Sequence, residues 1–344
     1  MRIILHADAQ RDIFTDDLRQ FELAFLDDPA VKPLYQSLLS NLYNRVERKC
    51  GALMKKFHLA SSMSMLSNDL LNEPNSIFMI LMGADRRSFE PYRHIPDKGR
   101  MIYMFDAWPK DYHKIRRFIN EFGIDLVFVS AAQSAADLNK LMATNMFHHV
   151  AEGIDTRLYK YATYEAKDIE VLALGRKYDR YHQVIRPVLS KHDYTYLYET
   201  TKGQIIFEDR KDFIDGLSRT KISICVPGSI THPERSGHVE TMTMRYLQSM
   251  ASKCLIVGHA PEEMIRMFGY NPVIEIDWND PEGQIIRLLR YFHLNIPLIE
   301  KNYKEVNHHH TWTQRFHDIK RILTGPSQFD TQEKHIKSAM EQLV

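Results

Sequence analysis

Between positions 221 and 264 the chain reads KISICVPGSITHPERSGHVETMTMRYLQSMASKCLIVGHAPEEM, and few folds accommodate such a stretch. Residues 222–226 form a short apolar run with charge before it and Pro227-Gly228 after it. Residues 254–257 form a second, stopped by Gly258. Runs this short, β-branched and punctuated read as buried strands of a parallel sheet. Between them residues 241–252 have helical spacing, with Met244, Leu247 and Ala251 on one stripe. Thr241, Arg245, Gln248 and Ser252 make a polar stripe opposite. Strand, loop, helix, strand is one βαβ unit. In open parallel sheets ligands sit beyond the carboxyl ends of the strands, where helix N-termini point free N–H groups at anions. The loop 227–243 is therefore expected at a phosphate site.

The same alternation runs through the rest of the chain. Apolar runs at 2–7, 77–82, 101–105 and 126–129 predict strands before the middle, and those at 169–175, 194–198 and 273–276 predict strands after it. Helical spacing predicts helices over 112–122, 135–143, 213–217, 284–292, 303–323 and 331–343. Alternating strands and helices predict parallel, doubly wound sheets, hence an α/β protein. Residues 31–59 read as one long helix with Leu34, Leu38, Leu42 and Val46 in a stripe. Its later part carries Arg45, Arg48, Lys49, Lys55 and Lys56, so it is either docked with a solvated face or laid on anionic lipid. At 344 residues, 44% apolar and 26% charged, the chain has material for two ordinary globular domains.

A net charge of +1 argues against a nucleic-acid binder. Cys50, Cys225 and Cys254 lack metal-ligand spacing and read as buried thiols of a reducing compartment. The opening MRIILHADAQRD is too short an apolar run for a signal peptide, and no run approaches the ~20 residues of a membrane span. A cytoplasmic protein is expected, with any membrane contact peripheral.

The central segment resembles the nucleotide-sugar half of retaining glycosyltransferases with the GT-B fold, the family 4 or group 1 transferases of bacterial surface-polysaccharide synthesis. That family carries Glu, seven residues, then Glu. Here Glu240 holds the first position and Gln248 the second, and RYLQSMASKCLIV is similar to the run that follows. Lys253 stands in place of a Gly, and Thr241-Met242-Thr243 stands where Gly-Phe-Gly is usual. FHHVAEGIDTRLY, at 147–159, resembles the family's passage from first domain to second, with Glu152 in an Asn place. Phe105-Asp106-Ala107-Trp108-Pro109 resembles a His-Asp-x-x-Pro turn at the interdomain cleft, although Asp106 can equally be a helix N-cap before Pro109. HHHTWTQR, from 308, is similar to a run near the family's C-terminus and points to packing, since adjacent helical residues project about 100° apart.

The resemblance implies two Rossmann-like domains facing a cleft, with 1–153 on the acceptor side and 154–325 on the nucleotide-sugar side. Residues 326–344 would form a helix crossing back to the first domain. No glycine precedes Gly51, so no glycine-rich loop follows the first strand. The implied reaction moves a hexose from a nucleotide-diphospho-sugar to a polysaccharide or glycolipid acceptor, with no cofactor and no metal. Glu240 and Asp106 would be catalytic. Arg176, Lys177, Ser229, Thr241, Met242, Thr243, Arg245 and Gln248 would bind the donor, with Arg180 a weaker match. The basic residues and the N–H groups that open the Glu240 helix suit a diphosphate. A sugar-nucleotide 2-epimerase or a non-catalytic interaction protein of the same fold would share these features.

Overall fold

The computed structural model describes residues 2–7, 16–35, 75–89, 99–175, 177–201 and 206–324. Its strands form two sheets. The first contains β1 (Arg2–Ala7), β2 (Val31–Tyr35), β3 (Asn75–Met82), β4 (Arg100–Phe105), β5 (Leu126–Val129) and β6 (Phe147–His149), in the order β2-β1-β3-β4-β5-β6. The second contains β7 (Ile169–Ala173), β8 (Tyr196–Tyr198), β9 (Thr220–Cys225), β10 (Leu255–Gly258) and β11 (Ile274–Glu275), in the order β11-β10-β9-β7-β8. Pairing is parallel throughout, as in β3 with β4 and β9 with β10.

Parallel neighbours need crossovers, and the helices supply them. Those longer than one turn are α1 (Asp16–Leu26), α2 (Tyr112–Phe122), α3 (Ala132–Met142), α4 (Asp179–Lys191) and α5 (Arg210–Ser218), then α6 (Met244–Ala251), α7 (Glu262–Phe268), α8 (Pro281–Arg290), α9 (Ile296–His309) and α10 (Trp312–Thr324). The central strands are apolar because both faces are covered: Met101, Ile102, Tyr103, Met104 and Phe105 of β4 are all buried. None of the helices among the described residues is long and apolar enough to cross a membrane.

The long helix expected over 31–59 is a strand at its start. Pro33 explains the difference: within a helix its ring clashes and its missing N–H breaks a bond, whereas β2 is a sheet edge that tolerates it. Residues 36–59, with Cys50 and the basic positions, lie outside the described residues, as does the helix expected over 331–343.

Helix α10 packs against the first domain. Trp312 stacks on Phe21 of α1 with centroids 4.2 Å apart, Phe316 lies 4.2 Å from Phe25, and Lys320 donates to Asp28 at 2.8 Å. Ile154, leaving the first sheet, meets the returning chain: its N–H donates to His310 O at 3.1 Å, and Trp312 N–H donates to Ile154 O at 3.2 Å. A Cβ on Gly153 would lie 2.9 Å from the backbone there, so only glycine lets the two segments touch.

Candidate functional site

The order of the second sheet reverses between β7 and β9, with β8 outside β7 and β10 and β11 beyond β9. Ligands of open parallel sheets bind in the crevice at such a switch point. Arg245, in the first turn of α6, occupies it: Nη1 donates to Leu174 O at 3.0 Å and Nη2 reaches Val226 O at 3.5 Å. Its guanidinium has no acidic partner among the described residues. Lys177, just past β7, has none among them either, and its ammonium lies 5.4 Å from the centre of the Tyr198 ring. Arg180 is taken up by the face of Trp278, 3.9 Å away. Arg176 lies outside the described residues.

Beyond β9 the chain makes two one-turn helices, Gly228–Thr231 and Pro233–Ser236, then an extended loop to α6. Glu240 is in that loop, four residues ahead of the helix, because α6 begins at Met244 rather than at Thr241. Two carboxylates hold the loop extended. Glu263 Oε1 accepts from Thr241 Oγ1 at 2.6 Å and from Met242 N at 3.0 Å, and Glu152 Oε2 accepts from Met244 N at 2.7 Å. The Met242 and Met244 amides are thus occupied by acids, contrary to the expectation that amides here stand open to a diphosphate. Thr241 and Met242 are buried, so their side chains face protein. Thr243 is the N-cap residue of α6, and its buried hydroxyl has no hydrogen-bond partner among the described residues.

The polar stripe expected on this helix is not a solvated face. Gln248, Ser249 and Ser252 are buried along with Tyr246 and Leu247, because α6 is enclosed on nearly every side. Lys253, standing for a family Gly, adopts the left-handed conformation with φ 51°. Its ammonium is held by Glu300 at 2.8 Å and by the ring of Tyr161 at 4.1 Å.

The Glu240 carboxylate stays about one-third exposed. Ser229 Oγ donates to its Oε1 at 3.4 Å, and His259 Nε2 lies 3.4 Å from Oε2. The first domain grips the same loop: Glu240 N donates to Gln133 Oε1 at 2.7 Å, and His238 Nε2 lies 2.9 Å from Asp137 Oδ2. Glu263 Oε2 accepts from Ala132 N at 3.0 Å. Burial lowers the pKa of His149, whose Nε2 lies 3.8 Å from Glu263.

Asp106 directly follows β4 with φ 54° and pairs with Arg235 from the one-turn helix Pro233–Ser236. The residue that precedes the one-turn helix Pro109–Asp111 is Trp108, so the N-cap alternative for Asp106 falls. Arg235 also lies 5.7 Å from the centre of the Trp108 ring.

His259, Glu275, Gln133, Arg235 and Glu263 are site neighbours that sequence reasoning missed. His259 had a signal, since it directly follows the end of a strand in the central βαβ unit. The others depend on tertiary approach. Among the described residues no three or more His, Cys, Asp or Glu side chains are grouped to hold a metal ion.

No family model matches the chain, and no curated protein matches it. Solved structures do. HepE of Anabaena, in complex with UDP and glucose, is similar over 94% of this chain and 99% of its own, with TM-score 0.59 and 10% identity. The same protein with UDP-glucose gives TM-score 0.54 at 9% identity, over 94% of this chain and 99% of its own. Sucrose-phosphate synthase of Thermosynechococcus elongatus is similar over 94% of this chain and 98% of its own, with TM-score 0.56 and 10% identity. The fold is GT-B, two Rossmann-like domains facing a cleft.

Proposed function

We propose that the chain is a retaining glycosyltransferase that moves a hexose from a nucleotide-diphospho-sugar to a polysaccharide or glycolipid acceptor in the cytoplasm, without a metal ion. One observation carries this reading: two cations without an acidic partner among the described residues lie at the carboxyl ends of β7 and β9, and a part-exposed carboxylate lies in the loop that follows β9. Arg245 and Lys177 supply the charge at the ends of β7 and β9, and Glu240 supplies the carboxylate. In the departing state the diphosphate gains negative charge, which the two cations offset, joined on this reading by Arg176. The anomeric carbon gains positive character, which Glu240 meets directly or by gripping a sugar hydroxyl. Gln248 would hydrogen-bond a ribose hydroxyl as a neutral amide. Asp106, tied to Arg235, would face the acceptor side. HepE, solved with UDP-glucose on the same fold, supports a nucleotide-sugar donor.

A non-catalytic interaction protein is the second reading, favoured by the acids that already occupy the Met242 and Met244 amides. A thermal-shift screen of nucleoside diphosphates separates the two. Ligand at ~100 times its dissociation constant stabilises a protein by about 2.7 kcal/mol, so a donor site raises the melting temperature measurably. No shift with any nucleotide would favour the second reading. Release of nucleoside diphosphate that depends on acceptor distinguishes a transferase from a 2-epimerase.

A further inference from the structure

We propose that His259 is a positioning residue for Glu240, wedged between it and Glu275 so that it holds one oxygen of Glu240 while the other stays with Ser229. The proposal rests on the donor-site reading above and assigns the orienting partner of its carboxylate. Each ring nitrogen faces an acid: Nδ1 lies 2.9 Å from Glu275 Oε2, and Nε2 lies 3.4 Å from Glu240 Oε2. A neutral imidazole donates one proton, so only the imidazolium serves both carboxylates.

The backbone that carries the imidazole is held on both sides. The His259 backbone N–H donates to Cys225 O at 3.1 Å, and Tyr246 Oη donates to the His259 carbonyl at 2.7 Å. A Cβ on the preceding Gly258 would lie 1.7 Å from Cys225 O, so the backbone passes there as closely as glycine permits. Glu275 is anchored in turn: its Oε1 accepts from Ala260 N at 2.8 Å and from Asn271 Nδ2 at 3.3 Å.

The charged groups facing His259 are Glu275 from β11 and Glu240 from the loop before α6. From α6 come Tyr246 and Arg245, the latter engaged with the Leu174 and Val226 carbonyls, and the one-turn helix after β9 brings Ser229. Burial opposes protonation of His259, but the hydrogen bond and charge of Glu275 and the charge of Glu240 outweigh it and raise its pKa. Loss of the proton would remove the donor from Glu240 Oε2 and free the carboxylate to turn. Turnover is then lost as pH rises through the raised pKa of His259, while the nucleotide, held at β7 and β9, binds as before.

Two measurements test this. The first needs no substrate: the His259 imidazole is titrated by NMR in the wild type and in Glu240→Gln. The midpoint should lie above that of free histidine in the wild type and fall in the variant; equal midpoints would overturn the clamp. The second compares His259→Gln and His259→Ala with the wild type. Both should lose about tenfold or more in turnover, with nucleotide affinity within about twofold, and neither should keep the alkaline limb of the pH–rate profile. Full turnover in folded His259→Ala overturns the proposal. If the wild type transfers no sugar from any nucleotide donor, the transferase reading fails, and the titration alone decides the clamp.

Discussion

Glu240 and Arg245 belong to the same few turns of chain, yet they should fail in different ways. On the transferase reading, Glu240 would matter most when charge develops on the sugar. Glu240→Gln should lower turnover on the order of 10²–10³ with nucleotide affinity nearly unchanged, and wild-type turnover would refute the assignment. On the same reading Arg245 would meet the diphosphate before and during transfer, so Arg245→Ala should weaken nucleotide binding as well as turnover, as calorimetry would show. Lys253 makes a test of stability alone. Its left-handed backbone costs about 1–2 kcal/mol, offset by Glu300 and Tyr161. Lys253→Gly relieves the strain and loses the pair, so denaturant unfolding should show a change under about 1 kcal/mol; Lys253→Ala keeps the strain and should cost more. At this scale Glu240 was legible only through the family spacing. Thr241 and Met242 read as ligand contacts because nothing in their own neighbourhood reveals Glu263, 22 and 21 residues away.

At the scale of elements most strands were legible, but β2 was read as the start of a helix and β6 was not marked at all. The β5 span, 126–129, is the run the sequence marks, because a strand covered on both faces must be apolar throughout. The start of α6 was misplaced by three residues, since its N-terminus is set by Glu152 and Glu263 rather than by its own first turn. The elbow between α9 and α10 gives a pH prediction. His310 stacks on Phe268 with centroids 4.3 Å apart and planes 10° from parallel, and Arg315 Nη2 donates to its Nδ1 at 2.6 Å. Burial, with the charge of Arg315, pushes the His310 pKa down to about 3. Glu305, 3.7 Å away, does not reverse this. Below about 6.5 the unfolded chain takes up this proton and the folded chain does not, so stability should fall as pH drops from about 6.5 towards 3. The full slope for one proton is ~1.4 kcal/mol per pH unit. His310→Gln should flatten the profile by up to that amount; an unchanged slope by chemical denaturation would contradict the assignment.

The two sheets share one apolar cluster, although the sequence announces them as separate alternations. A single apolar cluster contains Ile3, Phe78 and Phe128 of the first sheet, Trp312 of α10, and Tyr246, Leu247 and Ile256 of the second domain. Trp312 is the wedge: it stacks on Phe21 and meets Phe105 edge-on at 5.9 Å, although its chain comes from beyond the second sheet. Periodicity finds a helix here but cannot say which sheet it covers, because an apolar stripe records burial and not the partner. A shared core predicts one cooperative transition, with calorimetric and van't Hoff enthalpies equal. Trp312→Ala should cost about 3–5 kcal/mol, the range for emptying a buried aromatic site. Its indole nitrogen has no hydrogen bond among the described residues, so the loss should be one of packing. Because the wedge joins the domains, the variant's transition should also broaden or divide. Two resolved transitions in the wild type would mean that the domains melt independently and that α10 does not couple them. Glu240 depends on that coupling, since Gln133 of the first domain holds its amide at 2.7 Å. Trp312→Ala should therefore reduce turnover at temperatures where each domain is still folded, an effect that a purely local cavity would not produce.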